Sequence, residues 1–275
     1  MGKPFAPNAN TQLYGIIGKP VRHSLSPVMH NAAFSETGIN AVYLAFETDD
    51  CEGACSSMKC LGIKGYSVTI PNKEGIISCL DEPDEAVRKI GACNTVKNDN
   101  GVLLGTNTDC LGAVAAIEKE GVELEGKEAV VLGAGGSARA IVYGLVTKGV
   151  KVTVCNRTFE KAERLAKEFK CYAAPLSEAE DLHAHILVNT TSVGMGDMKD
   201  QSPLSKKAVE NYDIVMDIVY SPLETVLLKD AKALGKRVIN GLSMLLFQAM
   251  AQFEYWTGVR APEKTMRKAL EHANG

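Results

Sequence analysis

The apolar run Ala129-Val-Val-Leu132 breaks at once into Gly133-Ala134-Gly135-Gly136-Ser137-Ala138-Arg139. The spacing is G-x-G-x-x-A, directly after a strand pattern and at the opening of a helix pattern, which is the setting a dinucleotide-binding turn requires. Gly133 would make the tight turn, Gly135 would let the backbone approach a pyrophosphate, and Ala138 would let the helix pack close to the sheet. Unpaired N–H groups of the first helical turn would face the anion. A glycine-rich turn without a ligand is the alternative, and the strand–turn–helix placement favours the ligand. The next strand pattern ends Val154-Cys155-Asn156-Arg157-Thr158. NAD-binding chains place an acid near this point for the ribose 2′-hydroxyl. Arg157 stands here instead, with Lys161 one helical turn later. A guanidinium pairs with a 2′-phosphate that a carboxylate would repel, so the pattern points to NADP rather than NAD. Solvated helix charges are the weaker reading.

Short apolar runs alternate with helix patterns over most of the 275 residues. Residues 13–17, 41–46 and 66–70 read as strands, and Asn100-Gly101 reads as the turn of a hairpin between 94–97 and 101–104. Ser26 is expected to cap a helix with Pro27 at its first position, ending near Gly38. Pro71 stops a strand and begins the next helix, and residues 109–121 read as helix. A second series follows: strands at 128–132, 151–155, 185–189, 213–218 and 236–240, with a helix at 158–169. Beyond Gly241 the pattern is helical to the end, broken at Ala261-Pro262. Such alternation implies an α/β fold on a parallel sheet, and the length suggests two domains.

The balance of 30 Lys and Arg against 33 Asp and Glu gives a net charge of −3. A protein gripping nucleic acid through its phosphates would need a basic face. No apolar run reaches the roughly 18 residues of a membrane span. Residues 1–10 lack the apolar core of a secretory signal and read as a frayed tail, so a cytoplasmic protein is expected. The eight cysteines form no Cys-x-x-Cys pair. They read as reduced thiols, and no metal site is expected.

Several further segments carry a resemblance. They are Gly15 to Pro27 with His23, Ser24 and Ser26; Ser67-Val-Thr69-Ile-Pro71-Asn-Lys73; Gly91-Ala-Cys-Asn94-Thr95; and Gly105-Thr-Asn107-Thr-Asp109. Asn156-Arg157-Thr158, Asp217-Ile-Val-Tyr220-Ser-Pro222 and Gly241-Leu-Ser-Met244 through Gln248 complete the set. In order and spacing the chain resembles the shikimate dehydrogenase family. The resemblance implies an N-terminal α/β substrate lobe plus a Rossmann-type doubly wound NADP lobe, with C-terminal helices returning to the first lobe. The expected division is 11–108 with 242–275 for substrate and catalysis, and 109–241 for NADP.

The resemblance also implies NADP-linked interconversion of shikimate and 3-dehydroshikimate. It makes Lys73 and Asp109 the catalytic pair. Ser24, Ser26 and Tyr220 would bind the substrate carboxylate, and Thr69, Asn94 and Gln248 its ring hydroxyls. Asn156, Arg157, Thr158 and Lys161 would hold the adenosine end of the cofactor. Thr191, Gly241 and Met244 would lie toward the nicotinamide.

Physical chemistry suits these roles. Shikimate is a small anion with three hydroxyls, so neutral donors and acceptors fit it. Serine hydroxyls at a helix entrance favour a carboxylate. An ammonium can give its proton to a developing alkoxide, with a carboxylate holding it in place. Bland readings stand beside each role: Lys73 and Asp109 as a plain salt bridge, Met244 and Tyr220 as packing, the 189–196 loop as contacting nothing, and His23 as shaping its loop. A quinate or broad quinate/shikimate dehydrogenase, a non-catalytic sensor on the same scaffold, and a methyltransferase are the rival functions. Partners are expected to be small molecules alone, with no nucleic acid and no membrane, the chain being a monomer or homodimer.

Overall fold

The computed structural model describes residues 6–274. The chain divides into two compact units, one of residues 1–108 with 248–275 and one of residues 109–247.

In the first unit β1 (Gln12–Gly18), α1 (Ser26–Thr37), β2 (Ala41–Glu47), α2 (Cys51–Leu61) and β3 (Gly65–Val68) follow in order. They are succeeded by α3 (Asn72–Gly75), β4 (Glu82–Pro83), α4 (Glu85–Ile90), β5 (Thr95–Asp99) and β6 (Val102–Thr106). The sheet order is β2-β1-β3-β5-β6-β4. β1 pairs parallel with β2 and β3, whereas β5 runs antiparallel to both β3 and β6. The hairpin expected at Asn100-Gly101 is present and makes this sheet mixed rather than parallel throughout. The cause is the Asn100-Gly101 turn: both residues take positive φ, 52° and 96°, which folds β6 straight back on β5 without a crossover helix.

Two local expectations also change. Ser26 is the first residue of α1 rather than its cap, because Leu25 already takes helical φ and ψ. No side chain caps α1; two residues before its first residue, Ser24 Oγ accepts the Ser26 N–H at 3.2 Å and shapes the loop. The tail is tied down from Asn8 onward, with Asn8 N–H donating to Thr11 Oγ1 at 2.8 Å and Asn40 Nδ2 to Asn8 Oδ1 at 3.2 Å. The frayed-tail expectation for residues 1–5 lies outside the described residues.

The second unit begins with α5 (Asp109–Glu118), then β7 (Glu128–Leu132), α6 (Gly136–Thr147), β8 (Lys151–Asn156), α7 (Phe159–Phe169) and β9 (Tyr172–Pro175). It continues through β10 (Ala184–Asn189), α8 (Lys206–Val209), β11 (Tyr212–Asp217), α9 (Val226–Ala233) and β12 (Arg237–Ile239). The order β12-β11-β10-β7-β8-β9 is parallel throughout. The chain starts at the central β7, winds out through β8 and β9, then returns and winds the other way through β10. That reversal leaves a switch point where β7 and β10 adjoin, beyond their carboxyl ends, where doubly wound sheets take ligands. Each face of the sheet carries its own apolar cluster, one around Val131, Ile141 and Val152, the other around Val130, Leu187 and Tyr212.

Helix α10 (Gly241–Thr257) contains the boundary between the units, and α11 (Glu263–Asn274) ends the chain in the first. All eight cysteines are free thiols. Among the described residues no helix is long and apolar enough to cross a membrane, and no group of three or more His, Cys, Asp or Glu side chains could hold a metal ion.

Candidate active site

The second unit builds a cradle at the end of β7. Gly133 sits at φ 108°, and a Cβ there would lie 2.5 Å from Thr190 Oγ1, so the turn itself demands glycine. Its N–H donates to the Cys155 carbonyl at 2.8 Å, and the Thr190 hydroxyl donates to the Leu132 carbonyl at 2.6 Å. Gly135 is a different case. Its φ of −89° and ψ of −172° suit any residue, and a Cβ on it, or on Gly136, would meet nothing within 4 Å. Neither strain nor crowding within the chain asks for glycine there; a closely approaching ligand does. No side chain caps α6, so the first-turn N–H groups of Gly136, Ser137 and Ala138 keep their donors for an anion. Ala134 flanks the turn, and Ala138 is fully buried against the sheet. The cradle fits a dinucleotide pyrophosphate.

Asn156 closes β8, its Nδ2 donating to the Thr158 carbonyl at 2.8 Å, and Thr158 is the N-cap residue of α7. Arg157 and Lys161 beside it are exposed. Among the described residues neither has an ion-pair partner, and no acid stands at that strand end. Two uncompensated cations next to a helix N-terminus suit a 2′-phosphate.

The ends of β10 and β11 are joined by groups the sequence reading quoted without giving them roles. Asp217 is fully buried. Its carboxylate accepts from Asn189 Nδ2 at 3.0 Å, Val219 N–H at 3.0 Å and the Thr225 hydroxyl at 2.8 Å. Burial pushes this carboxyl up to about 6 against the pull of those three donors. Asn189 Oδ1 in turn accepts from the Thr191 N–H and hydroxyl, the latter at 2.7 Å. The Thr191 hydroxyl is thus engaged in shaping the 189–196 loop. Tyr220 is half-buried, and burial raises its phenol. Gly241 opens α10 tightly against the Ile218 and Val219 carbonyls. Met244 packs into the apolar cluster that includes Val131.

The first unit gathers another set of groups. Ser24 lies on the loop after β1 and Ser26 is buried at the start of α1. The Thr69 N–H donates to the Ile17 carbonyl at 3.0 Å and Lys19 N–H to the Ile70 carbonyl at 2.9 Å, which ties the loop after β1 to the segment leading into α3. Lys73 sits in α3, its carbonyl accepting the Cys93 N–H at 2.7 Å. Its neighbour Asn72 is buried, Nδ2 donating to the Thr48 carbonyl at 2.9 Å. Cys93, the partner of the Lys73 carbonyl, adjoins Asn94, whose own carbonyl accepts the Val68 N–H at 2.8 Å. Thr69, just past β3, and Asn94, just before the antiparallel β5, so lie at one end of the sheet with the Lys73 backbone beside them. Gln248, buried on α10, belongs to the same unit. Asp109 opens α5 in the second unit, directly after Thr108.

Behind Asn94 lies a polar chain with no counterpart in the sequence reading. Tyr43 donates to Ser67 at 2.6 Å, Ser67 to Gln252 Oε1 at 2.7 Å, and Gln252 Nε2 to Thr95 Oγ1 at 2.9 Å. None of these residues stood out by motif except Ser67 and Thr95, and a lone glutamine inside an apolar helix gives no signal until its partners are known.

Comparison with known proteins covers both units. The family model for the shikimate dehydrogenase substrate binding domain matches residues 16–96. That for shikimate / quinate 5-dehydrogenase matches 115–219, and that for the shikimate 5′-dehydrogenase C-terminal domain matches 241–271. The NADP(+) shikimate dehydrogenase of Geobacillus kaustophilus is 48% identical over 256 residues, 90% of this chain and 93% of that protein. A crystal structure of a shikimate dehydrogenase in complex with NADP+ superposes with a TM-score of 0.93 at 40% identity, covering 98% of each chain. The Thermus thermophilus enzyme in complex with NADP(H) and shikimate gives 0.88 at 38% identity, over 96% of this chain and 100% of that one.

Proposed function

The chain belongs to the shikimate dehydrogenase family, and on that premise we propose that it catalyses the NADP-dependent, reversible reduction of 3-dehydroshikimate to shikimate. The observation that carries this reading is likeness along both units at once, to relatives named for that activity and to structures holding that cofactor and that substrate. The glycine cradle and the uncompensated Arg157 and Lys161 support NADP as the partner of the second unit.

Bound NADPH supplies the hydride. The chain's own groups manage everything else. The Lys73 ammonium donates its proton to the carbonyl oxygen as that carbon is reduced, leaving the ring hydroxyl of shikimate, and Asp109 holds the ammonium in place. In the reverse direction the same pair takes the hydroxyl proton. Ser24, Ser26 and Tyr220 bind the carboxylate through neutral donors. That arrangement keeps other cations away from Lys73, so the only positive charge spent on the reaction lies at the reacting carbon. Thr69, Asn94 and Gln248 fix the ring by its hydroxyls. The enzyme is read as cytoplasmic, a monomer or homodimer with small-molecule partners.

Spectrophotometric turnover of shikimate and of quinate, each with NADP+ and with NAD+, tests the reading. Shikimate with NADP+ is expected to give by far the highest kcat/KM. Equal use of quinate would replace the reading with a broad quinate/shikimate dehydrogenase, and absence of any turnover would leave a sensor.

A further inference from the structure

We propose that Gln252 is a positioning residue that, through Thr95, reinforces the orientation in which the Thr108 N–H holds the Asn94 carboxamide toward substrate. The proposal rests on the shikimate dehydrogenase reading and on the place of Asn94 in it.

Gln252 lies one helical turn after Gln248 on α10 and is 1% exposed. Two backbone groups dictate the direction of every proton around it. The Asn94 carbonyl can only accept, so the end of Gln252 that meets it at 3.1 Å is the amide nitrogen. The Thr108 N–H can only donate, so the end of Asn94 that meets it at 2.7 Å is the oxygen. The rest follows from the capacity of each side chain. Thr95 Oγ1 accepts from Gln252 Nε2, and its single proton goes to Asn94 Oδ1 at 2.8 Å, the nearer of two acceptors, Thr108 Oγ1 lying at 3.2 Å. Gln252 Oε1 takes the Ser67 proton, and Ser67 takes the proton of Tyr43.

The result is a one-way chain of donors from Tyr43 through Ser67, Gln252 and Thr95 to Asn94 Oδ1. That oxygen has both lone pairs filled, by Thr95 and by the Thr108 N–H. Nδ2 donates to Thr108 Oγ1 at 3.0 Å; toward any ligand Asn94 therefore acts only as a donor, through that same nitrogen, which matches the oxygen of a ring hydroxyl. Without Gln252 the Thr95 hydroxyl is free to turn its proton to Thr108 Oγ1, 3.2 Å away, and the Asn94 carboxamide is held from the Thr108 side alone, with more freedom to rock.

The test uses the full chain. Gln252→Met fills the same volume without hydrogen bonds. It is expected to raise the KM for shikimate about tenfold while the KM for NADP+ stays within twofold. Thr95→Val cuts the same chain one link later, so the double variant is expected to cost little more than either single change. Asn98→Ala is the control for a purely structural amide. Asn98 staples the Met58 and Ile63 carbonyls in the same unit, at 3.1 and 3.0 Å, away from this chain; its loss should lower Tm and leave the shikimate KM unchanged. A second readout needs no turnover: the Asn94 side-chain amide resonances, sharp and single in the wild type, should broaden or double in Gln252→Met. An unchanged shikimate KM in Gln252→Met, additive costs in the double variant, or an unaltered Asn94 amide signal would overturn the proposal. A wild-type chain that turned over no shikimate would defeat the functional reading instead, and the amide signal would still judge the positioning role.

Discussion

The segment that carries Lys73 is anchored through its backbone. The Lys73 carbonyl takes the Cys93 N–H, and its neighbour Asn72 is anchored to Thr48. Removing the ammonium leaves both anchors, so Lys73→Ala should fold and bind NADPH as the wild type does. Its kcat is expected to fall by about 10²–10⁴-fold, the usual worth of a positioned proton donor. Steady-state turnover beside fluorescence titration of NADPH checks the two halves separately, and near-normal turnover would remove Lys73 from the mechanism. Asp217 offers a stability test of opposite character. Its carboxyl is raised to about 6 from an ordinary 3.8, so the folded state holds its proton more tightly than the unfolded state does. Its contribution is fully favourable below about pH 4 and is lost as pH rises through about 6. The ionised form should cost about 3 kcal/mol at neutral pH. Asp217→Asn keeps an oxygen for Asn189 and Val219 and carries no charge. Relative to wild type the variant should gain stability between pH 4 and 7, as read by urea unfolding at several pH values; a difference flat across that range would show that Asp217 titrates normally.

At the scale of elements, the glycines of the turn between β7 and α6 separate folding from binding. Gly133→Ala meets both a positive φ and the Thr190 hydroxyl at 2.5 Å. It is expected to destabilise the protein by about 1–3 kcal/mol. Gly135→Ala meets neither strain nor crowding. Its Tm should match the wild type, while its KM for NADP+ rises about tenfold or more. Equal effects of the two substitutions on Tm would mean that Gly135 serves the fold alone. The same contrast explains what the sequence made legible. The turn, the strands of the second unit and the hairpin at Asn100-Gly101 were readable because glycine and asparagine spacing reports backbone need directly. The start of α1 was not, because Ser26 looks like a cap in sequence and only the helical φ and ψ of Leu25 put it inside the helix. The antiparallel pairing of β5 with β3 was not legible for a related reason: alternating patterns show that strands exist, and the partner of each is set by tertiary structure. Asp217 and Gln252 stayed silent because a buried polar group is defined by its neighbours, and those come from residues 28 positions away for Asn189 and 185 for Ser67.

For the molecule as a whole, α10 matters most. The chain passes between its two units only at Thr108-Asp109 and within this helix. Met244 and Phe247 serve the core of the second unit. Phe253 and Trp256, nine and twelve residues after Met244, serve the first unit. There Phe253 packs against Phe34 with centroids 5.5 Å apart, and Trp256 packs against Tyr14 at 5.4 Å while donating to the Val96 carbonyl at 3.0 Å. Melting either core would strip the helix of half its packing. Helices of this length hold together in water mainly through such packing. The two units are therefore expected to unfold in one calorimetric transition. NADP+ is assigned only to residues of the second unit, yet at a hundred times its Kd it stabilises whatever is coupled to that unit by about 2.7 kcal/mol. In scanning calorimetry the single transition should move upward as one peak. A second peak that stays in place when NADP+ is added would show that sharing α10 does not bind the first unit's stability to the second.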